Sequence, residues 1–134
     1  MNNLKDIRWR QRFANFERAY RQLKLVLTKD TANDPIFRAA LIQTFEFVFE
    51  LAWKTLKDKL EAGGIEKMLP REVLQESFQA RFITDGKVWF EMLDTRNKLS
   101  HTYDEAVSIA SEKQIRERYG AVLTEFYEYC KKEL

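Results

Sequence analysis

The sequence has 134 residues, a formal net charge of +2, one cysteine and one histidine. A single thiol and a single histidine exclude an internal disulfide and a Cys/His zinc site, so we expect a fold without a metal or a cofactor. The charged first residues are unlike a secretory signal and charges recur throughout the chain, so we expect a cytoplasmic protein that does not enter a membrane.

The first predicted helix runs from Ile7 to about Leu27. Its apolar residues recur at steps of three and four, which is typical of a helix packed along a bundle seam: Phe13, Phe16, Tyr20, Leu23 and Leu27. Residues 1–30 hold eight Lys/Arg against three Asp/Glu. This basic stripe has two interpretations: a surface for nucleic acid or an acidic partner, and a solvated basic helix.

The second predicted helix begins after Asp34, which we expect to act as the N-cap, with Pro35 at the first helical position. It runs to about Ala62 and ends at Gly63-Gly64, where glycine can adopt a left-handed conformation. Apolar residues, Phe47 among them, cover almost all of its surface. So much apolar surface predicts packing against more than one neighbouring helix.

One narrow polar line interrupts this apolar surface. Its members recur at steps of three and four: Gln43, Glu46, Glu50, Lys54 and Lys57. The line is either a solvated edge in which Glu50 and Lys54 form an i,i+4 ion pair, or a face turned towards a substrate or a partner. The sequence leaves both interpretations open.

Three further helices are predicted, over Pro70–Ile83, from about Val88 to His101, and from about Ala106 to Lys132. The apolar residues of the last helix are Ile109, Ile115, Tyr119, Val122, Phe126 and Cys130. No alternation typical of strands appears, and the length predicts one domain, residues 1–134. We therefore expect an all-α fold, an antiparallel bundle of four main helices plus a short helix.

A dense polar segment, residues 94–105 with the sequence DTRNKLSHTYDE, contains the only histidine. The sequence has no Gly-rich phosphate loop, no nucleophile elbow and no HExxH motif, so this segment is the main candidate for chemistry. Asn97 and His101 share a face of a helix, whereas Arg96 and His101 diverge by about 140°. Arg96 and His101 converge only if the helix ends or distorts there, or if a second copy of the chain takes part.

Arg96, His101 and Tyr103 form an R-x4-H-x-Y motif. With this motif the sequence resembles the HEPN superfamily, and specifically its HepT branch. Residues 41–61 and 69–78 extend the similarity to small subunits described as nucleotidyltransferase substrate-binding proteins. The resemblance covers most of residues 5–130.

The resemblance implies a cytoplasmic homodimer that forms a toxin–antitoxin module with a separately encoded minimal nucleotidyltransferase. The HEPN member of such a module is a metal-independent endoribonuclease, and the nucleotidyltransferase neutralises it by AMPylation of the motif tyrosine. Carried onto this sequence, Arg96 and His101 would be catalytic, and Tyr103 would be the modification site. Asn97 would orient the histidine or the RNA phosphate.

Two other functions remain open at this stage. In the first, the chain is a non-catalytic substrate-binding subunit in which Gln43, Glu46, Glu50, Asp104 and the segment around His101 face a substrate or the nucleotidyltransferase. In the second, the chain is a structural helical dimer and the polar segment is only a capped turn between helices. Asp104 would then be the N-cap of the last helix.

Overall fold

A computed structural model describes residues 3–101 and 104–134. Within these ranges the chain forms helices and no strand: α1 (Asn3–Val26), α2 (Pro35–Ala62), α3 (Pro70–Gln79), α4 (Gly86–His101), α5 (Glu105–Gln114), a π-helical segment (Ile115–Tyr119) and α6 (Gly120–Glu133). The last three follow one another without a break and form one long helix. The predicted all-α bundle of four main helices and a short one is confirmed.

Local signals in the sequence account for both ends of α2. The side chain of Asp34 accepts hydrogen bonds from the backbone N–H groups of Ile36 and Phe37, at 2.9 and 3.3 Å, so the predicted N-cap is confirmed. At the other end, the glycine with positive φ is Gly64, at 89°. Gly63 keeps a negative φ of −92°, so only the second glycine of the pair adopts the left-handed conformation.

Two helix boundaries differ from those predicted. Helix α3 ends before Ile83 because the chain turns at Arg81, whose φ is 64°. The backbone N–H of Phe82 then donates to the carbonyl of Ser77 at 2.9 Å, which closes the helix end. Helix α1 begins four residues before the predicted Ile7, with an acidic side chain in its first turn, where it interacts favourably with the helix dipole.

Helix α2 lies at the centre of the fold and contacts α1, α3, α4 and α5, as its broad apolar surface predicts. Its buried residues are Leu41, Ile42, Phe45, Val48, Phe49, Ala52, Trp53, Thr55, Leu56, Asp58 and Leu60. Phe47 is an exception to the predicted apolar face: its side chain is 60% exposed because it lies at the edge of a groove rather than under a neighbouring helix. Within the described ranges no helix, α2 with its 28 residues included, is long and apolar enough to cross a membrane.

Aromatic rings join α1 to the last helix. Phe16 contacts Phe126 edge to face, with ring centroids 5.2 Å apart, and both side chains are buried. One turn closer to the C-terminus of α1, the Tyr20 hydroxyl lies 2.7 Å from the Thr124 hydroxyl. Residue numbers rise along α1 as they fall along α6, so these two helices are antiparallel. Each buried ring of this kind stabilises the fold by about 1.5–3 kcal/mol.

The basic stripe of α1 is paired with acidic side chains of the same chain. Arg12 donates to Asp58 at 2.9 Å, and Asp58 is only 2% exposed, while Arg8 contacts Glu61 at 3.4 Å. Both acidic residues belong to α2. From the first pair to the second, residue numbers fall along α1 and rise along α2, so the two helices run antiparallel. Arg8 and Arg12 therefore have acidic partners on α2, which favours a structural role for these two members of the stripe.

The last helix, predicted from about Ala106 to Lys132, contains one π-helical turn at Ile115–Tyr119, where the hydrogen-bonding pattern widens. Arg116, inside this turn, donates to the carbonyl oxygens of Leu27 and Lys29, each at 2.9 Å. These carbonyls lie just beyond the C-terminus of α1, where cationic donors are favoured. A tertiary contact thus accompanies the departure from regular α-helix. Ile109, one of the apolar residues of the last helix, is 47% exposed.

Candidate functional site

Helix α4 carries the arginine and the histidine of the motif on different faces. The helix is unbroken from Gly86 to His101, so the expected divergence of about 140° between Arg96 and His101 applies within one chain. Asn97 and His101 are one turn apart and share a face. The first condition for convergence, an end or distortion of the helix between Arg96 and His101, is therefore not met.

Arg96 faces α2 and is held there by two neighbours. Its Nη2 donates to Glu50 Oε2 at 3.0 Å, and its Nη1 donates to Asn97 Oδ1 at 2.9 Å. The Arg96 side chain is 22% exposed, and its Nε is buried without a hydrogen-bond partner among the described residues. The guanidinium is thus anchored from two sides while part of it remains accessible.

Two adjoining cavities, of which the smaller is lined by Arg96, form what we call the motif groove. The smaller has a volume of about 340 Å³ and is lined by Glu46, Phe47, Glu50, Arg96 and Ser100. The larger, of about 590 Å³, shares two of these residues and continues along α2 towards the start of α5, where it is lined by Pro35, Arg38, Ala39, Ile42, Gln43, Glu46, Phe47, Leu99, Glu105 and Ser108. The motif groove therefore extends from Arg96 along α2 to the start of α5.

The polar line of α2 borders this groove. Gln43 is exposed, and Glu46 is half-buried, which raises the pKa of its carboxyl, although the charge of Arg96 acts in the opposite direction. Glu50 also contacts Lys54, its i,i+4 neighbour, at 3.5 Å, so the predicted ion pair is present. The line contains the expected surface ion pair, and Glu50 also contacts the arginine of the motif. That the line faces a substrate or a partner stays a prediction.

The end of the motif lies at the junction between α4 and α5. His101 is exposed in the last turn of α4. Asp104 is the N-cap of α5, and its side chain accepts from the backbone N–H of Ala106 at 2.8 Å, as the capped-turn interpretation predicted. Tyr103 lies outside the described residues.

Sequence reasoning did not identify Arg38 as a residue of this region. Arg38 lines the larger cavity, and its Nε is buried without a hydrogen-bond partner in the described part of the chain. No simple spacing signalled it, because Arg38 is eight residues before Glu46 and about 80° away from it around α2. The contact between Glu50 and Arg96 was also missed, since it joins two helices that no local pattern relates.

Other reactive groups do not come together in the described ranges. No three His, Cys, Asp or Glu side chains there form a possible set of metal ligands. Cys130 is buried near Lys59, towards the other end of α2, and burial raises the pKa of its thiol to about 12. A thiol with so high a pKa is a poor nucleophile at neutral pH. Arg96, His101 and their neighbours therefore remain the candidates for chemistry among the described residues.

Comparison with known proteins assigns the chain to a family. The family model described as "Nucleotidyltransferase substrate binding protein like" matches residues 11–132. The chain belongs to this family. The resemblance to the HepT branch of the HEPN superfamily is thereby confirmed as well, since a similar protein carries that name.

This member of the nucleotidyltransferase substrate-binding family resembles two further proteins. A protein of Haemophilus influenzae named "Probable ribonuclease HepT" is 35% identical over 82 residues, which cover 58% of this chain and 56% of that relative. The similarity thus spans little more than half the length of the relative. A crystal structure of a protein from Thermus thermophilus superimposes with a TM-score of 0.74 at 29% identity, over 83% of this chain and 94% of that one.

Proposed function

We propose that this chain is a HepT-like, metal-independent endoribonuclease toxin that acts as a cytoplasmic homodimer. The observation that carries the proposal is the arrangement of Arg96: its guanidinium is held at the edge of an open groove, on the same helix as the exposed His101. The family match and the similarity to a protein named as a ribonuclease support it. The partner is a separately encoded nucleotidyltransferase.

RNA supplies its own nucleophile, the 2′-hydroxyl, so no metal is required. Cleavage needs a base that takes the 2′ proton, cationic stabilisation of the phosphorane, and an acid that protonates the leaving 5′ oxygen. The O2′–P bond forms and the P–O5′ bond breaks, which leaves a cyclic phosphate and a 5′-hydroxyl. His101 is the proton-transferring group, and Arg96 donates hydrogen bonds to the phosphate oxygens.

A second copy of the chain would complete this site. One chain offers one histidine, and that histidine diverges from Arg96 along an unbroken α4. Two-fold pairing would place two histidines and two arginines around one cleft, so that one histidine acts as base and the other as acid. The exposed Phe47 at the edge of the motif groove is a suitable apolar contact for such a pairing.

Tyr103 is the proposed site of neutralisation. Its neighbours His101 and Asp104 are both exposed, which supports access by an enzyme partner. The tyrosine oxygen would form a bond with the α-phosphate of ATP, and pyrophosphate would leave. The resulting phosphodiester would add negative charge and bulk beside His101, where it would repel an RNA phosphate.

The test is cleavage of single-stranded RNA by the purified chain in the presence of EDTA. We expect cleavage by wild type, and its loss in Arg96→Ala and His101→Ala with helix content unchanged. Lys98→Ala is the matched control, because Lys98 is an exposed cation on the same helix but outside the motif groove. Cleavage by both variants, or none by wild type across varied RNAs, would contradict the nuclease proposal.

The second candidate is a non-catalytic subunit that presents a substrate to the nucleotidyltransferase. The size of the larger cavity and the exposure of Gln43 within it favour this function. It predicts a stable complex with the nucleotidyltransferase and no loss of RNA under any condition. Mass spectrometry of the chain co-expressed with that enzyme separates the two: AMP units on Tyr103 support the toxin, and an unmodified tyrosine argues for the binding subunit.

A further inference from the structure

Arg96 and Glu50 are 46 residues apart in sequence and belong to different helices. Their contact is a charge-assisted hydrogen bond of 3.0 Å between Arg96 Nη2 and Glu50 Oε2. Asn97 accepts from the other terminal nitrogen of the guanidinium at 2.9 Å. The plane of the guanidinium is thus held by two acceptors, one from α2 and one from α4 itself.

This arrangement leaves donors for a ligand. A guanidinium has five N–H donors, and the two contacts above use one on each terminal nitrogen. The N–H of Nε is buried and has no hydrogen-bond partner among the described residues, so it is not directed at solvent. One N–H group on each terminal nitrogen therefore remains without a partner among the described residues and can donate a charge-assisted hydrogen bond to a phosphate oxygen.

Glu50 is itself anchored. Its second oxygen, Oε1, lies 3.5 Å from Lys54 Nζ, one turn further along α2. Lys54 offsets the charge of Glu50, so Lys54, Glu50 and Arg96 together keep one positive charge. Glu46 lines the same groove, and burial raises the pKa of its carboxyl, which reduces its opposition to a phosphate at Arg96.

We infer that Glu50 is a positioning residue: it holds the Arg96 guanidinium across the gap between α2 and α4, at the motif groove, where its remaining N–H groups donate to an RNA phosphate. This inference rests on the proposed nuclease function. Glu46 lines the same groove, but no hydrogen bond joins it to Arg96 among the described contacts. Glu50 therefore has this role on account of its contact rather than its charge alone.

The kinetic test compares Glu50→Ala with Glu50→Gln. The alanine removes the acceptor, and we expect kcat for RNA cleavage to fall by about tenfold or more with a smaller change in KM, since a misplaced catalytic group costs rate in this range. The glutamine keeps a carbonyl oxygen at the same place, so we expect it to restore kcat to within about threefold of wild type. Glu61→Ala is the control for loss of an α2 ion pair far from the groove. An equal loss of kcat in both Glu50 variants would overturn the inference. So would a kcat that is unchanged or higher in Glu50→Ala.

A measurement that does not depend on cleavage separates this inference from the nuclease proposal. In ¹⁵N-labelled protein we expect the Arg96 Nε–H to exchange slowly with water and its Nη signals to be resolved, because rotation of the guanidinium is restricted. Glu50→Ala should accelerate the exchange and average the Nη signals, whereas Glu50→Gln should not. Averaged signals in wild type would overturn the positioning role even if RNA is cleaved. Slow exchange and resolved Nη signals without RNA cleavage would support the contact between Glu50 and Arg96 but reject the nuclease proposal.

Discussion

Lys59 is surrounded by aromatic rings near the end of α2. Its Nζ lies 4.6 Å from the ring centroids of both Trp9 and Phe82 and 5.7 Å from that of Tyr129, and it is 3.3 Å from Glu133 Oε1. The side chain of Lys59 is only 12% exposed. One ammonium group thus ties α1, the segment after α3 and the end of α6 to α2. Lys59→Met removes this charge while keeping a side chain of similar length.

The expected loss of free energy of unfolding in Lys59→Met can be summed from the contacts of the Lys59 ammonium group. A cation over a ring contributes about 1 kcal/mol when it is partly desolvated, so the two rings at 4.6 Å contribute about 2 kcal/mol together. The more distant Tyr129 adds less, and the pair with Glu133, which is 44% exposed, adds about 0.5 kcal/mol. Since neighbouring contacts are not additive, we expect Lys59→Met to lower the free energy of unfolding by about 2 kcal/mol, or Tm by about 6 °C.

Urea unfolding followed by circular dichroism measures this loss. Lys132→Met is the matched control, because Lys132 is exposed on α6 and lies over no aromatic ring in the described part of the chain; we expect a change within about 0.5 kcal/mol. Glu133→Gln should cost less than Lys59→Met because it leaves the rings in contact with the cation. A loss below about 0.5 kcal/mol for Lys59→Met, or equal losses for the Lys59 and Glu133 variants, would refute the assignment of stability to the rings.

Two further predictions concern polar side chains of α1, Glu17 and Arg12. The Tyr127 hydroxyl donates to Glu17 and lowers the pKa of that carboxyl below its ordinary value of 4.5. A carboxyl whose pKa is lower in the folded state stabilises the fold at pH values above its unfolded-state pKa. This stabilisation is lost as the pH falls through the folded-state pKa. Glu17→Gln should therefore flatten the decline in urea midpoint below pH 4.5, and a decline as steep as in wild type would contradict this. Arg12→Met leaves the buried Asp58 without its partner and should cost about 2 kcal/mol in urea unfolding, discounted because Arg12 is 35% exposed. Adding Asp58→Asn should recover part of that loss, and a further loss in the double variant would count against the explanation.

Much of the fold follows from local chemistry that can be read along the chain. The steps of three and four in α1 predict a buried face, and Phe13 and Phe16 are indeed buried. Asp34 and Pro35 start α2 as predicted because an N-cap depends on residues adjacent in sequence. The boundary at Ile83 could not be predicted in this way, since a non-glycine residue, Arg81, adopts the left-handed conformation there.

The sequence by itself determined the helices, the all-α class and the motif with Arg96 and His101, because helix periodicity, capping and motif spacing involve residues close together in the chain. Only the tertiary structure decided that Glu50 contacts Arg96, that Arg116 caps α1 across the fold, and that Phe47 stays exposed. These outcomes depend on which helices pack against each other and on how much of each helix surface its neighbours bury. That is set by packing of the whole core, which no single segment of the sequence specifies.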